Sequence, residues 1–381
     1  MPYFFLSCAL MVATTLTASV TACAAELPPP VADSFVTLQN DVAEVRFAEA
    51  GGALVQFTLR ARPENPLAWK LSPAEMPTNN RAGAPFQGHF LCVGRWGRPT
   101  AGEQAAGIPH NGEPANSVWS VSPSDDGRML QMEVAGKIER WRIERKAWLS
   151  AGSAVLTVQE TLTNLLPVGR FTALVQHATT GGDFLDTQTI VNSNAGAGFN
   201  QALIAASLNE HEYRWPKGFL DASHAPVDLT STDGSTSYVS THVIDGEWGW
   251  ATVASPTRGL LLGYVWSTAE YPWLHVWHGI KDAKPWARGI EFGTTGLGDT
   301  FAPATRITTT FHGRTNALFV DANASVTKTY RCFLLPIPAG FTATKAIRCE
   351  LNRLEVDLQI GGTVTTVALA TEGGPTPPAV P

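Results

Sequence analysis

The sequence is poor in cysteine and in charge. Of its 381 residues only 5 are cysteines and 16% are charged, and it contains no CxxC pair or cysteine–histidine spacing typical of a metal site. A cysteine-rich scaffold is therefore excluded. Lysine and arginine form no cluster, and the net charge is −6. This balance argues against nucleic acid and against anionic membrane surfaces as partners.

Charge is also absent from the N-terminal segment, whose first charged residue is Glu26. The segment is apolar and ends in small residues, which predicts a secretory signal peptide over residues 1–25. The stretch ending at Cys23 resembles a bacterial lipoprotein processing site, and ordinary cleavage near Ala24 or Ala25 is the alternative. Both alternatives predict an extracytoplasmic protein, either secreted, periplasmic or a lipoprotein. A lipidated Cys23 would be the one means of membrane attachment.

Loss of the leader would leave three cysteines, Cys92, Cys332 and Cys349. An odd number cannot be fully paired. Cys332 and Cys349 could form a disulfide if their strands adjoin, and Cys92 is predicted to be a buried apolar thiol.

Glycine and proline are abundant, at 34 and 26 residues, and 44% of the chain is hydrophobic. Between residues 36 and 365, short runs of alternating or continuous apolar residues follow one another, separated by turn residues. Runs of this kind predict strands; the clearest cover residues 129–145, 155–165, 259–266 and 356–369. The pattern predicts an all-β fold built from antiparallel strands.

No repeat and no linker divides the chain, so we expect one large domain over residues 26–370. Residues 61–85 and 181–235 are predicted loop insertions. Helical periodicity is scarce, and its best example, residues 345–354, is short. The tail, residues 371–381, is rich in proline and glycine and is predicted to be disordered.

The stretch most informative about function is RGIEFGTT, residues 288–295. Side chains alternate along a strand, so Glu291 shares its face with Gly289 and Gly293. Glycine within a strand often marks a place where a ligand approaches the backbone closely. The stretch predicts a carboxylate in a cleared patch, suited to sugar binding or proton transfer. A rim glutamate beside two bulge glycines is the alternative.

The tryptophan-rich segment before Glu291 contains Trp273 and Trp277, which share a strand face with His275. The two indoles belong either to the core or to a stacking platform beside the site. His275 and His278 are three residues apart and point to opposite faces, which argues against a metal site. A ladder on the Ile290 face, formed by Asp282, Lys284, Trp286 and Arg288, is expected to be solvated or to lie on the loop side.

Three further stretches carry residues suited to chemistry: GRWGRP at 94–99, GIPHNGEPAN at 107–116 and LVQHATTGGDF at 174–184. Taken singly, each has a structural interpretation, because a turn arginine usually caps carbonyls or pairs with an acid. A single histidine at a strand end is more often structural than catalytic.

Taken in order, these stretches and the Glu291 strand resemble the galactose mutarotase (aldose 1-epimerase) family. That family has an arginine stretch, then a His-Gly loop, then a histidine at a strand end, and finally a glutamate on a late strand. The resemblance covers most of residues 36–330 and implies a large antiparallel β-supersandwich. The context of His177 and the residues after Glu291 differ from the family pattern, which indicates a divergent, secreted member.

The resemblance also implies an activity, the interconversion of sugar anomers without a cofactor or metal. Glu291 would be the catalytic base and His177 the acid. The substrate-binding residues implied are Arg98, His110, Asn111 and Asp245. Arg98 is preferred to Arg95 because it occupies the second arginine position of the family stretch. The expected partner is a carbohydrate, either a free aldose or the end of an oligosaccharide.

Two other functions remain open. A non-catalytic carbohydrate-binding protein could use the same cleft. A polysaccharide lyase or hydrolase is the third interpretation, although tyrosine, a common lyase base, is scarce at six residues. A glycosidase needs two close carboxylates, and Glu113 is the candidate for the second.

Overall fold

The computed structural model describes residues 34–80, 83–124, 128–204, 208–298, 310–350 and 352–371. The predicted signal peptide with Cys23 and nearly all of the predicted C-terminal tail lie outside these residues. Among the helices that the structure describes, none has the length and apolar character needed to span a bilayer.

Two large antiparallel sheets dominate the described residues, and their strands are numbered here in chain order. The first has ten strands, in the spatial order β1 (Phe35–Gln39), β2 (Ala43–Ala48), β3 (Leu54–Leu59), β4 (His89–Val93), β10 (Leu174–Thr180), β20 (Lys284–Gly293), β19 (Trp273–Lys281), β16 (Tyr238–Val243), β12 (Ala197–Asn200) and β13 (Tyr213–Arg214). The second has eight, in the order β11 (Ile190–Ser193), β17 (Trp248–Ser255), β18 (Leu260–Ser267), β24 (Ser325–Pro336), β8 (Val155–Asn164), β7 (Trp141–Leu149), β6 (Met129–Ala135) and β5 (Ser120–Pro123).

Smaller elements surround these sheets. They are the pairs β14 (Lys217–Phe219) with β15 (Pro226–Asp228), β21 (Thr310–Phe311) with β22 (Arg314–Thr315) and β23 (Leu318–Val320) with β9 (Arg170–Thr172), and the sheet β25 (Phe341–Glu350), β26 (Arg353–Ile360) and β27 (Thr363–Ala370). The described helices are α1 (Ala101–Ala105) and four 3₁₀ turns, Thr78–Asn80, Pro114–Asn116, Gly182–Phe184 and Gln201–Leu203.

The two large sheets pack face to face over one hydrophobic core, as the family resemblance implies. Leu130 and Met132 on β6 and Leu156 on β8 point into it from the eight-stranded sheet. Ile290 and Phe292 on β20 point into it from the ten-stranded sheet. The all-β antiparallel supersandwich predicted from the sequence is therefore the observed fold.

The helix candidate at residues 345–354 is wrong, because this stretch forms the β25–β26 hairpin. Ile347 and Leu354 pack with Val265 and Phe333 on the outer side of the eight-stranded sheet. The spacing of apolar residues resembled helical periodicity because a hairpin turn interrupts the alternation. Tertiary burial, not local periodicity, decides the conformation here.

The three cysteines that the structure describes are all free, so the expected pairing of Cys332 with Cys349 is also wrong. Cys332 lies in the core between the large sheets, whereas Cys349 packs on the other side of the eight-stranded sheet. The Sγ atom of Cys349 instead accepts a hydrogen bond from Nη1 of Arg331 at 2.6 Å. Cys92 is buried, as expected.

Candidate active site

A cleft of about 670 Å³ lies over the central strands of the ten-stranded sheet, on the face turned away from the core. Its aromatic lining residues are Trp69, Phe86, Phe90, Trp96, Tyr238, Trp277 and Trp286. Its polar lining residues include Glu75, His110, Asn111, His177, Asn200, Gln201, Ser237 and Glu291. Strands β10 and β20 are neighbours in the sheet, which brings His177 and Glu291 to the same floor.

Glu291 stands in a cleared patch, but its two flanking glycines serve different purposes. A Cβ atom on Gly289 would come within 2.7 Å of Oε1 of Glu291 and 3.1 Å of the Cβ of Trp277. Gly289 therefore makes room for the carboxylate. A Cβ on Gly293 would instead meet Val175 of β10 at 2.7 Å. Glu291 is 2% exposed, which excludes the interpretation of a rim residue.

Two side chains contact the Glu291 carboxyl group directly. Nε2 of His177 lies 3.4 Å from Oε1, and Nε1 of Trp96 donates a hydrogen bond to Oε2 at 2.8 Å. The other ring nitrogen of His177, Nδ1, lies 3.0 Å from Oγ1 of Thr179. Because Thr179 occupies Nδ1, the imidazole is held with Nε2 toward the carboxyl group.

Burial governs the charge of this pair. Desolvation raises the pKa of Glu291 to about 8, although the hydrogen bond from Trp96 acts in the opposite direction. Desolvation lowers the pKa of His177 to about 3. The ring of His177 stacks on Phe90, with centroids 4.4 Å apart and planes at 17°. Near neutral pH burial therefore favours a protonated carboxyl group beside a neutral imidazole.

A second layer of contacts holds Trp96. Its indole stacks on His275, with centroids 3.9 Å apart, and His275 is the cross-strand partner of Glu291. Nδ1 of His275 lies 3.0 Å from Oγ1 of Thr241, which accepts a hydrogen bond from Nε2 of Gln201 at 2.7 Å. The indole that contacts the carboxyl group is thus fixed by packing and by a polar chain.

His110 and Asn111 reach the cleft on the loop after α1. The His110 ring lies 5.9 Å from that of Phe86, and its backbone N–H donates to Oδ1 of Asn80 at 2.9 Å. Asn111 adopts a positive φ of 63°. Its Oδ1 accepts a hydrogen bond from the Gly97 N–H at 2.7 Å, so its side chain holds the neighbouring loop.

The predicted residues Arg98 and Asp245 do not join this cluster. Arg98 is exposed and lies outside the cleft lining, and the alternative Arg95 is buried against Glu103. The Asp245 side chain is 72% exposed and lies 3.5 Å from Arg214. Arg95 and Arg98 lie outside the cleft because Trp96, which stands between them in the chain, turns into it.

Glu113, the candidate second carboxylate, is used for structure. Its side chain accepts hydrogen bonds from the backbone N–H groups of Lys137 and Glu139, at 2.9 and 2.6 Å, and so holds the β6–β7 turn. It does not line the cleft. The two-carboxylate arrangement of a glycosidase is therefore not formed by these residues. Among the described residues, no group of three or more histidine, cysteine or acidic side chains is placed to hold a metal ion.

Sequence reasoning missed Trp96 as a site residue. It lies between Gly94 and Gly97, whose φ angles of 77° and 89° fall in the left-handed region. Glycine adopts this region without steric cost, and the chain can therefore reverse on both sides of the indole. The pair of glycines around a tryptophan was the signal in the sequence that could have identified it.

The tryptophans around β19 and β20 divide between core and cleft. Trp273 is fully buried, whereas Trp277 is half-buried and lines the cleft. A bulge between Gly279 and Ile280 shifts the register of β19 against β20. Trp286 on β20 also lines the cleft. In the predicted solvated or loop-side ladder, Asp282 and Lys284 are exposed. The prediction is wrong for Arg288, which is fully buried and donates to the Tyr238 hydroxyl at 2.9 Å.

Among the comparisons with known proteins, only the one with solved structures finds proteins similar to this chain. No protein-family model and no curated protein sequence matches the chain. Many solved structures resemble it, including three that each match it over about four-fifths of its length. A galactose mutarotase related enzyme from Lactobacillus acidophilus has a TM-score of 0.56 at 9% identity, covering 79% of this chain and 97% of that protein. The chain has the galactose mutarotase-like fold.

Two further structures agree with this assignment. A galactose mutarotase-like protein from Lactobacillus casei has a TM-score of 0.55 at 15% identity, covering 79% of this chain and 100% of the other. Another from Clostridium acetobutylicum has a TM-score of 0.53 at 12% identity, covering 80% of this chain and 96% of that protein. In this chain, the cleft over β10 and β20 contains the carboxyl group of Glu291 and the imidazole of His177.

Proposed function

We propose that the protein is an aldose 1-epimerase-like isomerase that interconverts the anomers of a reducing sugar. The observation that carries the proposal is the 3.4 Å contact between Glu291 and His177 on the floor of an aromatic-lined cleft. Structural neighbours described as galactose mutarotase-like support the same chemistry. A carbohydrate is accordingly the proposed ligand.

The reaction needs one proton donor and one proton acceptor. Opening the pyranose ring breaks the bond between C1 and the ring oxygen, which gains a proton while the C1 hydroxyl loses one. Both oxygens are bonded to C1, so two groups 3.4 Å apart can serve both. Rotation about C1–C2 and reclosure then give the other anomer, and no cofactor takes part in these proton transfers.

Because burial raises the pKa of Glu291 and lowers that of His177, the pair holds one transferable proton near neutral pH. Burial favours that proton on Glu291 in the free cleft, so this carboxyl group starts ring opening as the donor and His177 as the acceptor. This starting state is the reverse of the one implied by the family resemblance. During reclosure the two groups exchange roles, so each acts once as acid and once as base.

Replacement of Glu291 by glutamine tests the proposal. Glu291→Gln keeps the size of the side chain but removes its titratable proton, so we expect the rate of anomer equilibration to fall by about 10²–10⁴-fold. The measurement is polarimetry or one-dimensional NMR of freshly dissolved α-glucose, α-galactose and other aldoses. Glu247→Gln, at an exposed position outside the cleft, is the matched control. Full activity in Glu291→Gln would refute the assignment.

A non-catalytic carbohydrate-binding protein is the second candidate. The displacement of Arg98 and Asp245 from the cleft favours it, because fewer charged groups face a substrate there than the family resemblance implies. Calorimetric titration with the same sugars separates the two functions. Affinity without any acceleration of anomer equilibration in the unaltered protein would favour the binding protein.

A further inference from the structure

The outer half of the cleft is not needed for proton transfer at one carbon atom. Its wall is formed by three indoles, Trp69, Trp277 and Trp286. Ring centroids lead outward from His177, with 6.0 Å to Trp277 and a further 6.0 Å from Trp277 to Trp286. Trp69 packs against both, with ring centroids 5.7 and 5.6 Å away. The aromatic wall therefore continues well beyond the catalytic pair.

Two of the three indoles remain partly accessible. Trp69 is 4% exposed, whereas Trp277 and Trp286 are half-buried and line the cleft. The planes of the three rings meet at 64° to 90°, so stacking within the cluster does not cover them face to face. Large apolar surfaces left open inside a groove mark binding sites.

Polar groups edge this aromatic wall. Glu75 pairs with Lys281 at the mouth of the cleft, and the Nζ atom of Lys281 lies 5.4 Å from the ring centroid of Trp286. The exposed Ser237 lines the same end. An aromatic surface with a polar edge suits a sugar ring, because the apolar C–H face packs on the negative π-surface while hydroxyl groups reach the edge.

The size of the cleft agrees with a second ring. A volume of about 670 Å³ lies in the middle of the range for sites that enclose drug-sized ligands, about 300–1,000 Å³. Glu291 and His177 need to contact only the ring that opens. Trp277 and Trp286 line the same continuous cleft as the catalytic pair.

We infer that the cleft takes the reducing end of an oligosaccharide, with the opening ring at Glu291 and His177 and the adjoining ring at Trp277 and Trp286. This inference rests on the proposed function, and it names the substrate class. The outer indole, Trp286, is the residue that distinguishes an oligosaccharide from a single aldose.

The test compares one-ring and two-ring substrates. Anomer equilibration of freshly dissolved glucose, maltose and cellobiose is followed by NMR in the unaltered protein and in Trp286→Ala. We expect kcat/KM for at least one disaccharide to exceed that for glucose, and Trp286→Ala to lower the disaccharide-to-glucose ratio about tenfold, the loss of one stacking contact. Trp248→Ala removes a half-buried indole outside the cleft and should leave the ratio unchanged.

Calorimetric titration of the same sugars separates failure of this inference from failure of the proposed function. Catalysis with an equal effect of Trp286→Ala on both substrate sizes would overturn the second subsite and leave the isomerase intact. Disaccharide-selective binding that is lost in Trp286→Ala, but without catalysis, would support the subsite and overturn the isomerase. Absence of both catalysis and disaccharide binding would overturn both.

Discussion

At the scale of single residues, the partner of Glu291 decides its protonation. A guanidinium group next to a carboxyl group typically lowers its pKa by about 1–3 units. Here the carboxyl group contacts a neutral indole and a neutral imidazole instead, and its pKa is raised to about 8. Among the residues that the structure describes, the contacts of this carboxyl group thus favour its protonated form near neutral pH.

The hydrogen bond from Trp96 to Glu291 should affect how activity depends on pH. The bond from Trp96 favours the ionised form of Glu291, so its removal in Trp96→Phe should raise the pKa of Glu291 further. On the proposed mechanism we expect activity to decline as Glu291 loses its proton, whose pKa burial raises to about 8, and the alkaline limb of the pH–rate profile should move to higher pH in the variant. A hydrogen bond to a charged group is worth about 1.5–3 kcal/mol, which corresponds to roughly 1–2 pH units.

The measurement is kcat/KM for anomer equilibration between pH 6 and 10. Trp248→Phe, outside the cleft, is the control and should leave the limb in place. A limb that stays fixed or moves toward lower pH in Trp96→Phe would contradict the role given to the indole.

At the scale of elements, β20 has two faces with separate tasks. Ile290 and Phe292 anchor the strand in the core, while Gly289 and Glu291 face the cleft. The core side holds the strand rigidly, so the carboxyl group is positioned by a regular element and not by a loop. Such support limits the movement of a catalytic group.

This division predicts the effect of a methyl group at Gly289. In Gly289→Ala the new Cβ would lie 2.7 Å from Oε1 of Glu291, and the carboxyl group must rotate away from His177. We expect a loss of activity on the order of 10²-fold from the misplaced group, with the fold retained because the end of a side chain can move.

Gly102→Ala is the matched control, since a Cβ there meets no atom within 4 Å. Its position within α1 predicts unchanged activity and slightly greater stability. Activity is measured by anomer equilibration, and the free energy of unfolding by urea titration. Equal activity in Gly289→Ala and Gly102→Ala would show that the cleared patch is not needed.

At the scale of the whole molecule, a buried polar network joins the two sheets beneath the site. Arg145 on β7 donates to Glu160 on β8 at 2.7 Å. From the other sheet, Gln176 on β10 donates to the second oxygen of Glu160. Gln176 is adjacent to His177 in the chain and points to the opposite face. The network therefore connects the strand that carries the imidazole to the eight-stranded sheet.

Breaking this network should destabilise the molecule strongly. Arg145→Met leaves the fully buried Glu160 without its cation, and removal of one partner from a buried pair costs about 3–5 kcal/mol. Arg348→Met, which breaks the exposed pair with Asp357, should cost only about 1 kcal/mol or less. Both are measured by denaturant unfolding with tryptophan fluorescence. Equal destabilisation by the two variants would contradict the importance of the buried network.

The sequence alone was sufficient to predict the fold class and the face of the strand on which Glu291 lies. Alternation with a period of two follows from strand geometry and does not depend on what packs against the strand. It was enough to predict an all-β antiparallel fold and to place Glu291 between Gly289 and Gly293, while the family resemblance implied the supersandwich. The order of motifs along the chain added His177 and His110, which the structure does bring to the same cleft as Glu291.

Only the tertiary structure decided which loop side chains reach the cleft and how the site is charged. Trp96 contacts Glu291 across 195 residues of chain, and the backbone turns at Gly94 and Gly97 leave Arg98 outside the cleft. Cys332 and Cys349 do not pair because they lie on opposite sides of the eight-stranded sheet. Residues 345–354 form a hairpin because their apolar side chains pack on the outer side of that sheet. Burial, and with it the raised pKa of Glu291, is a property of packed neighbours and has no local signature in the sequence.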